Sequence, residues 1–263
     1  MNQLSFENGY AAYRAGDWAR AAAEFSQAKS MGEHAGRVDH LLGNCLMKLG
    51  RYDDAAAAYG EALEDVTYGM RGALCTNRGR ALVAAGRLPE AVEVLAEATG
   101  DKSYATPYKA YTAMGGAYKA MGDVRSAGIA YRNAAIDETN PNPSASLRKL
   151  GGCFMELGRP SDAVESYRTA LDFSSSTKAN NAIYCDLALA YVATNRMSEA
   201  VDAFDHATAD GTLALSSEAQ AAYDAAREAI AVQNAKTRSD TDDLLASSGY
   251  GDYPIDPLDP TGA

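Results

Sequence analysis

Glycine returns in this chain at a fixed interval, and that interval limits what the chain can fold into. Gly50, Gly86, Gly122 and Gly158 stand 36 residues apart, Gly16 lies 34 before the first and Asn195 lies 37 after the last. LGRYDDAAAAYGEAL from Leu49 to Leu63 is echoed by LGRPSDAVESYRTAL from Leu157 to Leu171. Five residues after each marker comes alanine: Ala21, Ala55, Ala91, Ala127, Ala163 and Ala200. Nine after comes a large residue: Phe25, Tyr59, Leu95, Tyr131, Tyr167 and Phe204. Twelve after comes alanine again, from Ala28 to Ala207. Seven before comes a small residue: Gly9, Gly43, Gly79, Gly115, Gly151 and Ala188. Self-similarity at one period marks a stack of identical supersecondary units.

Each position has a physical task. The marker ends a helix and needs a left-handed backbone, which Gly adopts freely and Asn tolerates best among the rest. The small residue seven before lets a second helix approach the first. The alanines keep one face of that second helix thin, and the large residue is expected to fill the space between neighbouring pairs. Pro89 and Pro160 fall in the first turn of their second helices, where proline is tolerated.

Composition agrees with an all-helical chain. Of the 263 residues 47% are hydrophobic, and the β-branched residues that favour strands are sparse. The four cysteines, Cys45, Cys75, Cys153 and Cys185, form no C-x-x-C pair and fall in apolar helical runs, as small reduced core residues do. No basic segment followed by an apolar run opens the chain, and no apolar run of spanning length occurs. The expectation is a cytoplasmic protein with no membrane association.

These residues resemble the tetratricopeptide repeat family, whose unit is two antiparallel helices with the pattern W-x2-L-G-x2-Y…G-x-Y-x2-A-x3-F-x2-A…P. The resemblance runs from about Asn2 to Asp210. The tryptophan position departs from it, holding Ser5, Asp39, Cys75, Tyr111, Leu147 and Tyr184. The family implies a right-handed α-solenoid of six helix-turn-helix repeats, about 2–35, 36–71, 72–107, 108–143, 144–180 and 181–214. Ser216 to Ala235 reads as a capping helix that covers the last apolar face. The solenoid would then span 1–235. The Asp-, Gly- and Pro-rich stretch 236–263 reads as a disordered tail, with a short turn at Leu244 and Leu245.

An enzyme finds little support. H-E-x-x-H, G-x-S-x-G, the P-loop and G-x-G-x-x-G are absent. His34, His40 and Cys45 are separated by six and five residues, which does not stack them on one helical face, and His206 lies far along the chain. No catalytic residue, metal site or cofactor is expected.

The charges say more. Net charge is −11, yet the first helices of units two to five carry eight cations and two acids, while their second helices sum to −7. The resemblance places first helices on the concave surface, so positive charge is sorted inward. Helical steps of three and four residues put Arg37, His40, Asn44 and Lys48 on one stripe, Asn77 and Arg80 on the next, then Lys109 and Thr112, then Arg148. These nine are the candidate peptide-binding residues. Asn amides suit a peptide backbone and cations suit its carboxylates.

Some tetratricopeptide proteins hold a partner's C-terminal carboxylates in a clamp of Lys and Asn in one first helix, Asn in the next, and Lys and Arg in the third. The matching positions here hold His40, Asn44, Asn77, Lys109 and Ala113. Two Asn and one Lys match, so the full clamp is absent, and Arg80 one turn away can supply charge. The expected function is a non-enzymatic scaffold that binds an acidic or C-terminal segment of another protein. Nucleic acid is disfavoured by the acidic whole and by the lack of interleaved aromatics. Two alternatives are an acidic tail occupying the groove, since six Asp follow Ser239 with no cation, and an accessory subunit of a larger assembly.

Overall fold

The computed structural model describes residues 3–29 and 35–247. Among them every regular element is a helix: α1 (Gln3–Ala15), α2 (Trp18–Lys29), α3 (Ala35–Lys48), α4 (Tyr52–Glu64), α5 (Arg71–Ala84), α6 (Leu88–Gly100), α7 (Tyr108–Ala120), α8 (Val124–Ile136), α9 (Pro143–Glu156), α10 (Pro160–Asp172), α11 (Thr177–Ala193), α12 (Met197–Thr208) and α13 (Ser217–Ser247). The chain forms two compact units, Met1–Ser176 and Thr177–Ala263. In the first, α1 to α10 pack in succession, each on its chain neighbours, as an α-solenoid. In the second, α11 and α12 pair and α13 packs on both.

The markers have the expected backbone. φ is +78° at Gly16, +74° at Gly50, +78° at Gly86, +79° at Gly122, +68° at Gly158 and +60° at Asn195. The amide after each donates to the carbonyl five residues back, as in Arg51 N to Leu46 O and Arg196 N to Tyr191 O, both 2.9 Å. This is the Schellman closure of a helix end. It also gives the arginine of the L-G-R phrase a role. Arg51 pairs with Asp54 at 2.7 Å, Arg159 with Asp162 at 2.5 Å and Arg196 with Glu199 at 2.5 Å, tying each turn to the start of the next helix. Arg159 and Arg196 also lie over the rings of Phe154 and Tyr191.

The glycines seven before the markers are close-approach sites. An added Cβ would lie 2.6 Å from the Tyr59 ring at Gly43, 2.4 Å from Leu95 at Gly79, 2.4 Å from Tyr131 at Gly115 and 2.5 Å from Tyr167 at Gly151. The large side chain therefore presses against the glycine of its own pair, and Tyr131 also packs on Leu150 and Cys153 of the next pair, as a residue that fills the space between pairs does. The alanines at both periodic positions are buried throughout. Cys45, Cys75 and Cys153 are buried thiols, and burial pushes Cys45 up to about 11.

A second series lies in the turns between pairs. Asp65, Asp101 and Asp137 each accept from the backbone amide and the hydroxyl of Thr67, Ser103 and Thr139, two residues on. Asp65 also accepts from Gly36 N at 3.2 Å and Asp101 from Gly72 N at 2.9 Å. These bonds fasten the end of a pair to its own beginning. Asn181 and Asp210 do the same at 2.9 Å in the second unit.

The sequence reading ends the last helix at Ala235 and begins a disordered tail at Lys236. α13 instead runs on to Ser247. No Gly or Pro occurs between Ser217 and Ser247, so nothing breaks the helix, although 231–241 is exposed on every side. Residues 248–263, with Asp252, Asp256 and Asp259, lie outside the described residues, as does His34.

Candidate functional site

Within the first unit, α5 touches α7 across the intervening α6, and no two second helices approach as closely. α5 and α7 thus lie on the tighter, inner side of the stack, and the repeat puts the first helices α3 and α9 in the same layer. Side chains link this layer directly: Arg37 lies 5.2 Å from the Phe6 ring centre, His40 meets Asn77, and Lys119 pairs with Glu156 at 2.7 Å.

The best-defined part centres on His40. Its Nε2 lies 3.2 Å from Asn77 Nδ2 and its Nδ1 lies 2.9 Å from Tyr68 Oη. An amide nitrogen can only donate, so Nε2 accepts and Nδ1 carries the proton toward Tyr68. Burial lowers the His40 pKa, which keeps the ring neutral and holds this arrangement. The Asn77 amide is thereby oriented, with NH2 on His40 and Oδ1 unengaged among the described residues. Asn44 is oriented the other way. Its Oδ1 accepts the Tyr59 hydroxyl at 2.7 Å, and its Nδ2 has no partner among the described residues. Tyr59 is 2% exposed and must donate somewhere. One stripe therefore offers an amide donor at Asn44 and the next an amide acceptor at Asn77.

The cations are arranged more loosely. Lys48 and Arg80 are exposed, and their side chains have no acidic partner among the described residues. Lys109 lies 5.8 Å from the Tyr108 ring centre, also without an acid. Thr112 spends its hydroxyl on Tyr108 O at 2.8 Å, within its own helix. Arg148 is exposed on α9. So the structure joins His40 to Asn77 directly, and links Lys48, Arg80 and Lys109 to none of the other candidates. The sequence reading missed Tyr68 and Tyr59, which orient the two amides. Tyr68, Tyr104 and Asn140 recur every 36 residues in the inter-pair turns, and that signal was available.

Asp39, at the tryptophan position, is a buried acid. Its carboxylate lies 3.3 Å from Lys29 Nζ, which also bonds Glu61. Burial pushes its pKa up, and Lys29 partly offsets the rise.

The tetratricopeptide repeat profile matches residues 6–69, 40–110 and 112–182, and a second profile of that repeat matches 182–209. The chain belongs to the tetratricopeptide repeat family. No curated protein matches it in sequence. Among solved structures, the C-terminal part of a TPR repeat-containing protein from Cytophaga hutchinsonii is similar at a TM-score of 0.68 and 16% identity, over 92% of this chain and 94% of that one. PilW, a widely conserved type IV pilus biogenesis factor, matches at 0.62 and 18%, over 84% of this chain and 99% of that one. MamA matches at 0.56 and 22%, over 69% and 97%. These likenesses are of fold. Membership makes the chain a protein-interaction scaffold in general terms, and no helix among the described residues is long and apolar enough to cross a membrane.

Proposed function

We propose that the inner layer of the first unit binds an extended, acidic segment of another protein, without catalysis. The observation that carries this reading is the pair of oppositely oriented amides. An extended peptide presents alternating C=O and N–H groups, and Asn44 Nδ2 with Asn77 Oδ1 answers one of each. Lys48 shares α3 with Asn44, Arg80 shares α5 with Asn77, and Lys109 lies on the next first helix, α7, none with an acid to neutralise it among the described residues, so a carboxylate-bearing partner is favoured over a basic one. Arg37, Thr112 and Arg148 extend the same surface.

The test is a binding measurement on the full chain with acidic peptides selected from a random library. Lys109→Glu and Asn77→Ala should weaken binding about ten-fold each, with helicity unchanged by circular dichroism. Unaltered affinity in both variants would refute the reading. Charge reversal at Arg168, on α10 of the other layer, should leave affinity unchanged.

A further inference from the structure

We infer that the recess over Tyr131, between α7 and α9, is a subsite for one Asp or Glu side chain of the bound peptide. This rests on the groove reading above and adds residues to it. Tyr59, Leu95, Tyr131 and Tyr167 occupy one repeat position, and Asn44, Arg80, Gly116 and Gly152 occupy another. In the second pair the Tyr59 hydroxyl is capped by Asn44. In the fourth pair the capping position is Gly116, and the cap is missing. Tyr131 is 4% exposed, and its hydroxyl makes no hydrogen bond among the described residues. That hydroxyl is the nearest atom to where a Gly116 Cβ would stand, 4.0 Å away, and nothing else lies within that distance. A hydroxyl donor without a protein partner among the described residues thus faces a space left open by a glycine.

Lys149, from α9, closes the other side. Its ammonium lies 5.4 Å from the Tyr131 ring centre and forms no ion pair among the described residues. Its side chain is exposed at the rim, and partial desolvation lowers its pKa. The acid nearby, Glu156, is neutralised by Lys119 at 2.7 Å. Cys153, also facing Tyr131, is a protonated thiol whose pKa burial raises. The recess therefore has an unanswered hydroxyl donor and an unanswered cation. A carboxylate answers both, whereas a peptide carbonyl or an amide side chain lacks the charge that Lys149 needs.

The experiment uses the full chain and a phage-displayed library of random dodecapeptides, in which the peptide C-terminus is not free. The leading peptide is measured by fluorescence anisotropy, with each acid replaced in turn by its amide. One replacement should weaken binding to the wild type about ten-fold. The same replacement should cost under about two-fold against Tyr131→Phe combined with Lys149→Met. Gly116→Asn, which copies the cap over Tyr59, should weaken the acidic peptide and spare its amide version. Tyr131→Phe keeps the ring against Gly115, and matching melting curves verify the fold. If every amide replacement costs the same in wild type and double variant, the subsite is refuted while the groove stands. If the library yields no binder, the groove reading falls and takes the subsite with it.

Discussion

Gly115 and Gly116 are neighbours in one helix, and alanine should act oppositely at the two. At Gly115 the new methyl carbon would stand 2.4 Å from Tyr131 Cε1. Ordinary carbon contacts are about 3.5–4.0 Å, so ring or helix must move by roughly 1 Å in a packed interior. Overpacking of this kind costs about 1–3 kcal/mol, and better helix propensity returns about 0.5–1 kcal/mol. Gly115→Ala should therefore lose about 0.5–2 kcal/mol. At Gly116 the methyl meets only the Tyr131 hydroxyl at 4.0 Å, so the propensity gain stands alone. Gly116→Ala should gain about 0.5–1 kcal/mol. The thermal midpoints should separate by about 3–10 °C, read by far-ultraviolet circular dichroism. Gly151 and Gly152 repeat the experiment one pair on, with contacts of 2.5 and 3.9 Å to Tyr167. Shifts of the same sign for both members of a pair would refute the close-approach argument.

Other outcomes follow from named contacts. Asn195→Ala should cost about 1–2 kcal/mol in urea unfolding because its φ is +60°, whereas Asn195→Gly should stay within about 0.5 kcal/mol. Lys29→Met strips Asp39 of its cation and should cost about 1–3 kcal/mol at neutral pH. Because burial raises the folded pKa of Asp39, the folded state takes up the proton first as pH falls, and the deficit should narrow in denaturant titrations at lower pH. Asp101 is held below the usual carboxylate range, first by Ser103 and then by Gly72 N. Its contribution is complete above about pH 4 and is lost as pH falls through its lower folded value. Asp101→Ala should thus be less stable than wild type at neutral pH, and the two melting curves should converge in strong acid.

What could be read in the sequence was whatever the backbone itself demands. Gly50 and Asn195 announce a left-handed turn because few residues accept one, and Gly43 announces close approach because no side chain fits there. Cation sorting was legible as well, since it needs only helix assignment. The amide orientations at Asn44 and Asn77 were not, because Tyr59 and Tyr68 set them, and a tyrosine read as a space-filler hides its hydroxyl. Lys149 was counted as charge and passed over as a site because its neighbour Tyr131 comes from another pair. The end of α13 was misplaced because composition reports how little a segment can bury, which differs from whether anything stops its helix.

The bonds from Asp65 to Gly36 and from Asp101 to Gly72 close the chain on itself within a single pair. Under tension between its ends, such a chain carries the load through separately knotted loops in series. Each loop can give way while its neighbours hold, releasing about 100 Å of slack at a time. A tether built this way yields in stages and can re-form behind the break, so one pair stays folded while distant pairs come undone.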